Sequence, residues 1–205
     1  MNLSGLVPLI EALPGMQRVV RDIQRDSGLV AQSYALGVPQ AARTAVVAAL
    51  ARHWPAPVVW EAPGPDRARL IHDELGAWDG VPERLHYFPA PEALFYDCAS
   101  WEPETVRRRI ALLALLARGG LGGEAPDEPA PLIVAPAWAL MVKTVPPALL
   151  RGGVRALRRG QYRPRDELVA SWVRFGYQPA TVVEEQGTFS VRGGIVDVYP
   201  PNLPQ

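Results

Sequence analysis

Short apolar runs alternate with amphipathic segments along much of the chain, and this alternation constrains the fold more than any other feature. Apolar runs of strand length occupy residues 57–62, 84–90 and 132–135. Segments with helical periodicity occupy residues 64–78 and 102–118. Strands that alternate with helices are joined by crossovers, so they form a parallel sheet that is covered by helices on both faces. The sequence therefore predicts an α/β domain with a parallel sheet.

The pattern changes near residue 150, where the alternation ends. A helix is predicted at 163–176, because a proline stands near its start and a glycine at its end. Three short strands are predicted after it, in the segments TVVEE, TFSVRG and GIVDVYP, with glycines between them. This order is typical of a β meander in a small α+β domain. We therefore expect two domains, 1–149 and 150–205.

Two less regular segments, 30–36 and 154–161, are also predicted to be strands. A small sheet with one helix is marginal as a closed unit. We therefore expect that the second domain is truncated at its C-terminal end and that the chain is part of a longer protein.

Composition argues against several classes of function. The 205-residue chain carries 21 basic and 21 acidic residues, so its formal net charge of zero gives no global attraction to nucleic acid or to an anionic membrane. It has one cysteine, Cys98, which excludes an intramolecular disulfide and a multi-cysteine metal site. The sequence has no secretory signal and no apolar stretch of membrane-spanning length, so we expect a cytoplasmic protein with no membrane contact.

Residues 37–44, GVPQAART, have the length and frame of a phosphate-binding P-loop, G-x-x-x-x-G-K-[ST]. Gly37 and Thr44 fit the pattern, but Ala42 replaces the second glycine and Arg43 replaces the lysine. Alanine disfavours the positive φ that glycine tolerates, and a planar guanidinium does not reproduce a compact ammonium. Three interpretations stay open: an ATP site, a weak anion site at a helix N-terminus, and a structural connection. We favour the structural connection.

Other requirements of nucleotide chemistry are also missing from the sequence. Lys143 is the only lysine of the chain, and it does not belong to the loop. The acid that holds Mg²⁺ in a P-loop protein has two candidates, Glu61 and Asp197, and both are better explained as structural residues. The three histidines are far apart in sequence and lack ligand spacing. We therefore predict no catalytic residue, no metal site and no cofactor.

Four segments of the chain carry recognisable motifs: HYFPAPEALFYDCAS (86–100), ETVRRRIALLALLA, LIVAPAWALM and GYQPATVVEEQGTFSVRGGIVDVYPP (176–201). In this order they resemble the UvrB-like N-terminal module of bacterial transcription-repair coupling factors. The last segment is the most specific, because its combination of GY, VEE, RGGI and YPP is shared with the excision-repair protein UvrB.

The resemblance implies a fold, a partner and a role. The first domain would be a degenerate RecA-like domain of the P-loop NTPase type, and the second would bind the repair protein UvrA. The module would be catalytically inert and would recruit UvrA to stalled transcription sites in nucleotide excision repair. RNA polymerase and DNA would be contacted only by parts of the longer protein that are absent here, including an ATP-dependent DNA translocase.

UvrB itself is the alternative that the resemblance leaves open. A UvrB-type subunit binds ATP through an intact P-loop and contacts damaged DNA through a tyrosine-rich hairpin. Here the loop at 37–44 is altered, and the chain passes from Tyr87 and Phe88 directly into a short proline-rich segment. Both departures favour the coupling-factor module over an ATP-binding, helicase-like subunit.

The segment TFSVRG contains most of the residues that we assign to the UvrA-binding surface. Strand periodicity predicts that Phe189 and Val191 face the core, and that Ser190 and Arg192 face solvent. An exposed arginine is a common interface anchor because its planar fork pairs with carboxylates. In the family this arginine belongs to the surface that binds UvrA, and Arg192 matches it. Ser190 and Gln178 stand where relatives carry basic residues, and we assign them to the same surface.

Overall fold

The computed structural model describes residues 2–25, 35–91, 101–118, 130–153 and 157–201. The helices of these residues are, in chain order, α1 (Val7–Glu11), α2 (Pro14–Arg25), α3 (Arg43–His53), α4 (Pro65–Asp79), α5 (Pro103–Arg118), α6 (Ala137–Met141), α7 (Pro147–Gly153) and α8 (Arg165–Arg174). The strands are β1 (Val58–Ala62), β2 (Leu85–Tyr87), β3 (Leu132–Pro136), β4 (Gln178–Pro179), β5 (Thr188–Arg192) and β6 (Ile195–Tyr199). Within the described ranges, no helix is both long enough and apolar enough to cross a membrane.

These elements divide into two compact units. The first unit comprises Met1–Pro91 with Ala125–Val142, and the second comprises Glu92–Glu124 with Lys143–Gln205. Helices α5, α7 and α8 and the sheet of β4, β5 and β6 therefore lie in the second unit. The domain boundary near residue 150 stays a prediction.

The first unit is built on a parallel sheet in which β3 is the central strand. β1 and β2 pair with β3 on either side, so the order is β1-β3-β2. All five residues of β3 are buried, as expected of an apolar strand with a neighbour along both edges. The three apolar runs of the sequence are thus confirmed as parallel strands, and the α/β class is confirmed with them.

Helix α4 covers this sheet and contacts all three of its strands. Its buried residues Ile71 and Leu75 join Val134 of β3 in one apolar cluster. Helix α3 packs against α4 and contributes alanines such as Ala48 to the same cluster. Small side chains allow the two helices to approach closely, so the alanine-rich sequence of α3 suits its place in the core.

The second unit combines helices with a small three-stranded sheet of order β4-β5-β6. Phe189 of β5 is buried against Trp172 of α8, with ring centroids 5.7 Å apart. Gly176 has a φ of 87°, a conformation that favours glycine, and it lies just after the end of α8. The helix predicted at 163–176 is therefore confirmed, with its regular part at Arg165–Arg174.

The predicted β meander is wrong at its first strand. Residues 181–185 have no regular structure, and the first strand is instead β4, which runs parallel to β5. The Ser190 hydroxyl donates a hydrogen bond to the Thr181 carbonyl at 3.3 Å, and the Thr188 hydroxyl donates one to the Glu185 carbonyl at 2.5 Å. Side chains of β5 thus occupy backbone acceptors that a ladder partner would otherwise use.

Two other predicted strands fall partly outside the described residues. Residues 30–34 and 154–156 are not described, and neither is Cys98. Residues 35–36 and 157–161 are described and have irregular or turn backbone. The strand predictions are therefore wrong for those two described parts.

Candidate functional site

The hairpin formed by β5 and β6 presents the candidate site. Residues directly opposite each other in an antiparallel pair lie on the same face, as do alternate residues of one strand. Ser190 pairs with Asp197, and Arg192 pairs with Ile195, so these four residues share what we call the hairpin face. Gly193 sets this register, because its φ of 59° suits the first position of a two-residue turn.

Arg192 lies on the exposed part of the hairpin face, as the sequence predicts. Its side chain is 63% exposed, and its Nη2 donates a hydrogen bond of 2.5 Å to Oδ2 of Asp197. Ile195, directly opposite, is also exposed. The hairpin face therefore offers a guanidinium beside an apolar side chain, which is the mixture found at the centre of many protein interfaces.

The solvent-facing orientation predicted for Ser190 is wrong. Its side chain is buried, and its hydroxyl is bonded to the Thr181 carbonyl. The segment after β4 reaches this end of the hairpin face, and strand periodicity carries no information about such a contact. Val191, predicted to face the core, is 39% exposed, whereas Phe189 is buried as predicted. The Ser190 hydroxyl therefore holds the segment after β4 against the hairpin face, and the Ser190 side chain is not accessible to a partner.

Gln178 lies on β4 and is exposed. Its backbone N–H donates to the Gly187 carbonyl at 2.9 Å, and its Nε2 lies 3.4 Å from the Gly176 carbonyl. The register pairs Gln178 with Thr188, at the opposite end of β5 from Arg192. Four strand residues span roughly 13 Å. The structure thus brings Gln178 and Arg192 into one sheet but not into contact.

Aromatic side chains support the opposite face of β5. Phe189 packs against Trp172, whose ring also lies 6.3 Å from that of Tyr177. Burial raises the pKa of the Tyr177 hydroxyl, so this group stays neutral at physiological pH. The aromatic cluster therefore fixes the strand that carries Arg192 without adding charge to it.

The P-loop-like segment, residues 37–44, lies in the first unit. Helix α3 begins at Arg43 after a single 3₁₀ turn, and the N–H groups of Ala42 and Arg43 both donate to carbonyls of that turn. Gly37 and Arg43 are exposed, whereas Thr44 is buried. A phosphate cradle needs successive N–H groups that point toward the ligand. In this conformation two of the N–H groups are instead bonded within the chain.

Among the residues that the structure describes, no group of three or more His, Cys, Asp or Glu side chains is placed to hold a metal ion. Burial lowers the pKa of His86, and the charge of the neighbouring His72 lowers it further by a smaller amount. The absence of a metal, of a cofactor and of a catalytic residue stays a prediction.

Sequence reasoning assigned no role in the site to two residues of the hairpin face, Asp197 and Ile195. The signal that identifies them is register. A turn of two glycines between β5 and β6 places Ile195 opposite Arg192, and it places Asp197 two residues further along the same face.

Part of the second unit matches a known family. Residues 156–205, which include α8 and the hairpin, match the family model described as the UvrB interaction domain. The first unit is thus an α/β domain, and residues 156–205 of the second unit are similar to the UvrB interaction domain.

Curated relatives then identify what the chain as a whole is similar to. It is 34% identical over 170 residues to the transcription-repair-coupling factor of Myxococcus xanthus. This alignment covers 80% of this chain and 14% of that protein. Its identity is 27% over 160 residues to the factor of Escherichia coli strain K12 and 28% over 164 residues to that of Bacillus subtilis strain 168. These alignments cover 78% and 80% of this chain, and 13% of each relative. The resemblance to transcription-repair coupling factors is thus confirmed, and the chain spans 13–14% of the length of these three relatives.

Proposed function

We propose that this chain is a non-catalytic binding module of a transcription-coupled nucleotide excision repair factor, and that its second unit binds UvrA. Arg192 carries the proposal, because it is an exposed guanidinium within the residues that match the UvrB interaction domain. Arginine pairs with carboxylates through two parallel hydrogen bonds and is enriched among the residues that dominate interface energies. Binding of UvrA by this surface would recruit the repair protein to stalled transcription sites.

The contact surface has a defined extent in this proposal. Arg192 and Ile195 form its centre, since both are exposed on the hairpin face. Gln178 forms its margin at the other end of β5. Ser190 contributes indirectly, because its buried hydroxyl holds the segment beside the hairpin face.

The first unit is, in the same proposal, a degenerate RecA-like domain that no longer turns over ATP. Its parallel sheet and the helices that alternate with the strands support this assignment. Two features of its P-loop-like segment argue against ATP binding: the substitutions at Ala42 and Arg43, and the N–H groups that are bonded within the turn. Contacts with RNA polymerase and DNA, and ATP-driven translocation, belong to other parts of a longer cytoplasmic protein.

A binding measurement with purified UvrA tests the proposal. We expect Arg192→Ala to weaken the affinity by about 1–3 kcal/mol, or roughly 5- to 150-fold, and Arg192→Glu to weaken it further. Arg151→Ala is the matched control, because Arg151 is an exposed arginine of α7 outside the sheet. Normal UvrA binding by Arg192→Glu would contradict the site assignment.

Titration of the chain with ATP and Mg²⁺ separates the binding module from an ATP-binding subunit of the UvrB type. We expect no heat of binding up to millimolar ATP. Micromolar binding of ATP would favour an ATP-binding subunit of the UvrB type instead. A gel shift on lesion-bearing DNA at physiological salt tests the other UvrB property, and we expect no complex.

A further inference from the structure

The ion pair between Arg192 and Asp197 points to a role for Asp197 that the sequence-based site lacks. We propose that Asp197 is a positioning residue, which holds the Arg192 guanidinium in the orientation that binds an acidic group of the partner. The inference rests on the proposed function, because the partner is UvrA. It adds a residue that acts on the partner through another side chain.

The register of the hairpin explains why Asp197 is the residue that reaches Arg192. Arg192 lies opposite Ile195, whose side chain offers no acceptor, and Asp197 is the diagonal neighbour on the same face. Diagonal neighbours are roughly 7–8 Å apart, a distance that a long side chain spans. Ser190 lies directly opposite Asp197, but its hydroxyl donates to the Thr181 carbonyl instead. The Asp197 carboxylate therefore accepts its hydrogen bond from Arg192 and not from Ser190.

The hydrogen bond steers the guanidinium without blocking it. Asp197 accepts from Nη2 alone, and the part of the chain that the structure describes supplies no second acceptor for Arg192. The remaining N–H groups of the guanidinium stay available, and a partner carboxylate can use two of them in parallel. A carboxylate that masked Arg192 would instead occupy both arms of its fork. The geometry thus favours positioning over masking.

Positioning strengthens binding because a free arginine side chain loses rotamer freedom when it docks. Asp197 removes part of that freedom before the partner arrives. The backbone beside Arg192 is held as well, since Nη1 of Arg165 lies within hydrogen-bond reach, 3.4 Å, of the Gly193 carbonyl. Strand, turn and guanidinium are therefore all restrained in the unbound chain.

Affinity measurements with purified UvrA test the inference. Asp197→Asn keeps the size of the side chain and removes its charge, and we expect it to weaken binding roughly 3- to 10-fold. We expect no additional loss when it is combined with Arg192→Ala. Glu184→Gln is the control, because it neutralises an exposed acid that has no ion pair among the described residues. Unchanged or tighter binding by Asp197→Asn, or the same loss in the Arg192→Ala background, would overturn the inference.

A second readout is independent of UvrA. Nitrogen-15 relaxation of the Arg192 Nε–H group reports the motion of the guanidinium on the ps–ns timescale. We expect a lower order parameter in Asp197→Asn than in the wild-type chain, and no change in Glu184→Gln. Equal order parameters in wild type and Asp197→Asn would overturn positioning, whatever the chain binds. Failure of the wild-type chain to bind UvrA would overturn the proposed function instead, so the two failures are distinguishable.

Discussion

Two arginine–aspartate pairs in this protein have the same sequence separation and opposite environments. In the first unit, Asp79 and Arg84 are five residues apart, and their side chains are 1% and 5% exposed. In the second unit, Arg192 and Asp197 are also five residues apart, and their side chains are 63% and 40% exposed. The charged groups are the same, so the environment decides what each pair does.

The buried pair, Asp79 and Arg84, is hydrogen-bonded both within the pair and to the neighbouring helix α3. Arg84 donates to both carboxylate oxygens of Asp79, and its Nη1 donates to the Ala51 carbonyl at 3.1 Å. Arg52 lies within hydrogen-bond reach of the Asp79 backbone carbonyl, at 3.2 Å. The pair thus links the end of α4 to α3. Charges that are removed from water need all of these partners, because their desolvation is costly.

The exposed pair has a different use. Water solvates both of its charges, so the pair contributes little to the free energy of unfolding. The Arg192 guanidinium keeps N–H groups that a partner can bind. The comparison teaches that an arginine–aspartate pair with little structural weight is the one that remains available for recognition.

The largest effect is expected when one member of the buried pair is removed. Asp79→Ala leaves the Arg84 guanidinium buried without its carboxylate, and we expect the free energy of unfolding to fall by about 3–5 kcal/mol. Urea denaturation followed by circular dichroism measures this loss.

A double variant provides the control for the buried pair. Asp79→Leu combined with Arg84→Met replaces both charges by apolar side chains, and we expect it to recover most of the lost stability. A single Asp79→Ala variant within about 1 kcal/mol of wild type would show that the pair does not hold the unit together.

The three strands of the first sheet, the hairpin strands and most long helices were accessible from sequence, whereas β4 and the tertiary contacts were not. An apolar run such as 132–135 identifies a buried strand, because few polar residues interrupt it. Exposure of Arg192 also followed from strand alternation. Burial of Ser190 did not, because it depends on the Thr181 carbonyl, which another segment brings to the hairpin face.

The two ion pairs were missed in different ways. The signal for Arg192 and Asp197 was present, since a two-glycine turn fixes the register that makes them diagonal neighbours. No comparable signal exists for Asp79 and Arg84, because their burial depends on helix α3. The family likeness came from motif resemblance, which physical reasoning on periodicity and charge does not supply.

A cluster of three charged side chains lies between these extremes of exposure. In α5, Glu104 accepts hydrogen bonds from Nε of Arg107 at 2.7 Å and from Nε of Arg108 at 2.5 Å. The hydrogen bond from Arg107 is the largest cause that lowers the pKa of Glu104, and Arg108 lowers it further. Burial opposes them by raising this pKa, and the net result is a pKa lowered from 4.5 to about 2. Since the folded pKa is depressed, the stabilisation is present above pH 4.5 and is lost as the pH falls toward 2.

Glu104→Gln tests this intermediate case. Its carboxylate is 42% exposed, so solvent screening reduces the contribution, and we expect a loss of about 1 kcal/mol at pH 7. The difference from wild type should shrink in unfolding experiments below pH 4.5. Glu102→Gln is the matched control at the same end of the helix, and we expect a smaller and less pH-dependent change. A constant difference across the acid range would argue that the loss has another origin.

The smallest effect on folding is expected at the exposed pair. Arg192→Ala removes an ion pair that solvent already screens, so the free energy of unfolding should change by less than about 0.5 kcal/mol. The urea experiment that measures Asp79→Ala measures this variant as well. A loss above about 1 kcal/mol would mean that Arg192 supports the hairpin itself, and weakened UvrA binding by Arg192→Ala would then report a damaged fold. Full stability together with weakened binding would separate recognition from structure at Arg192.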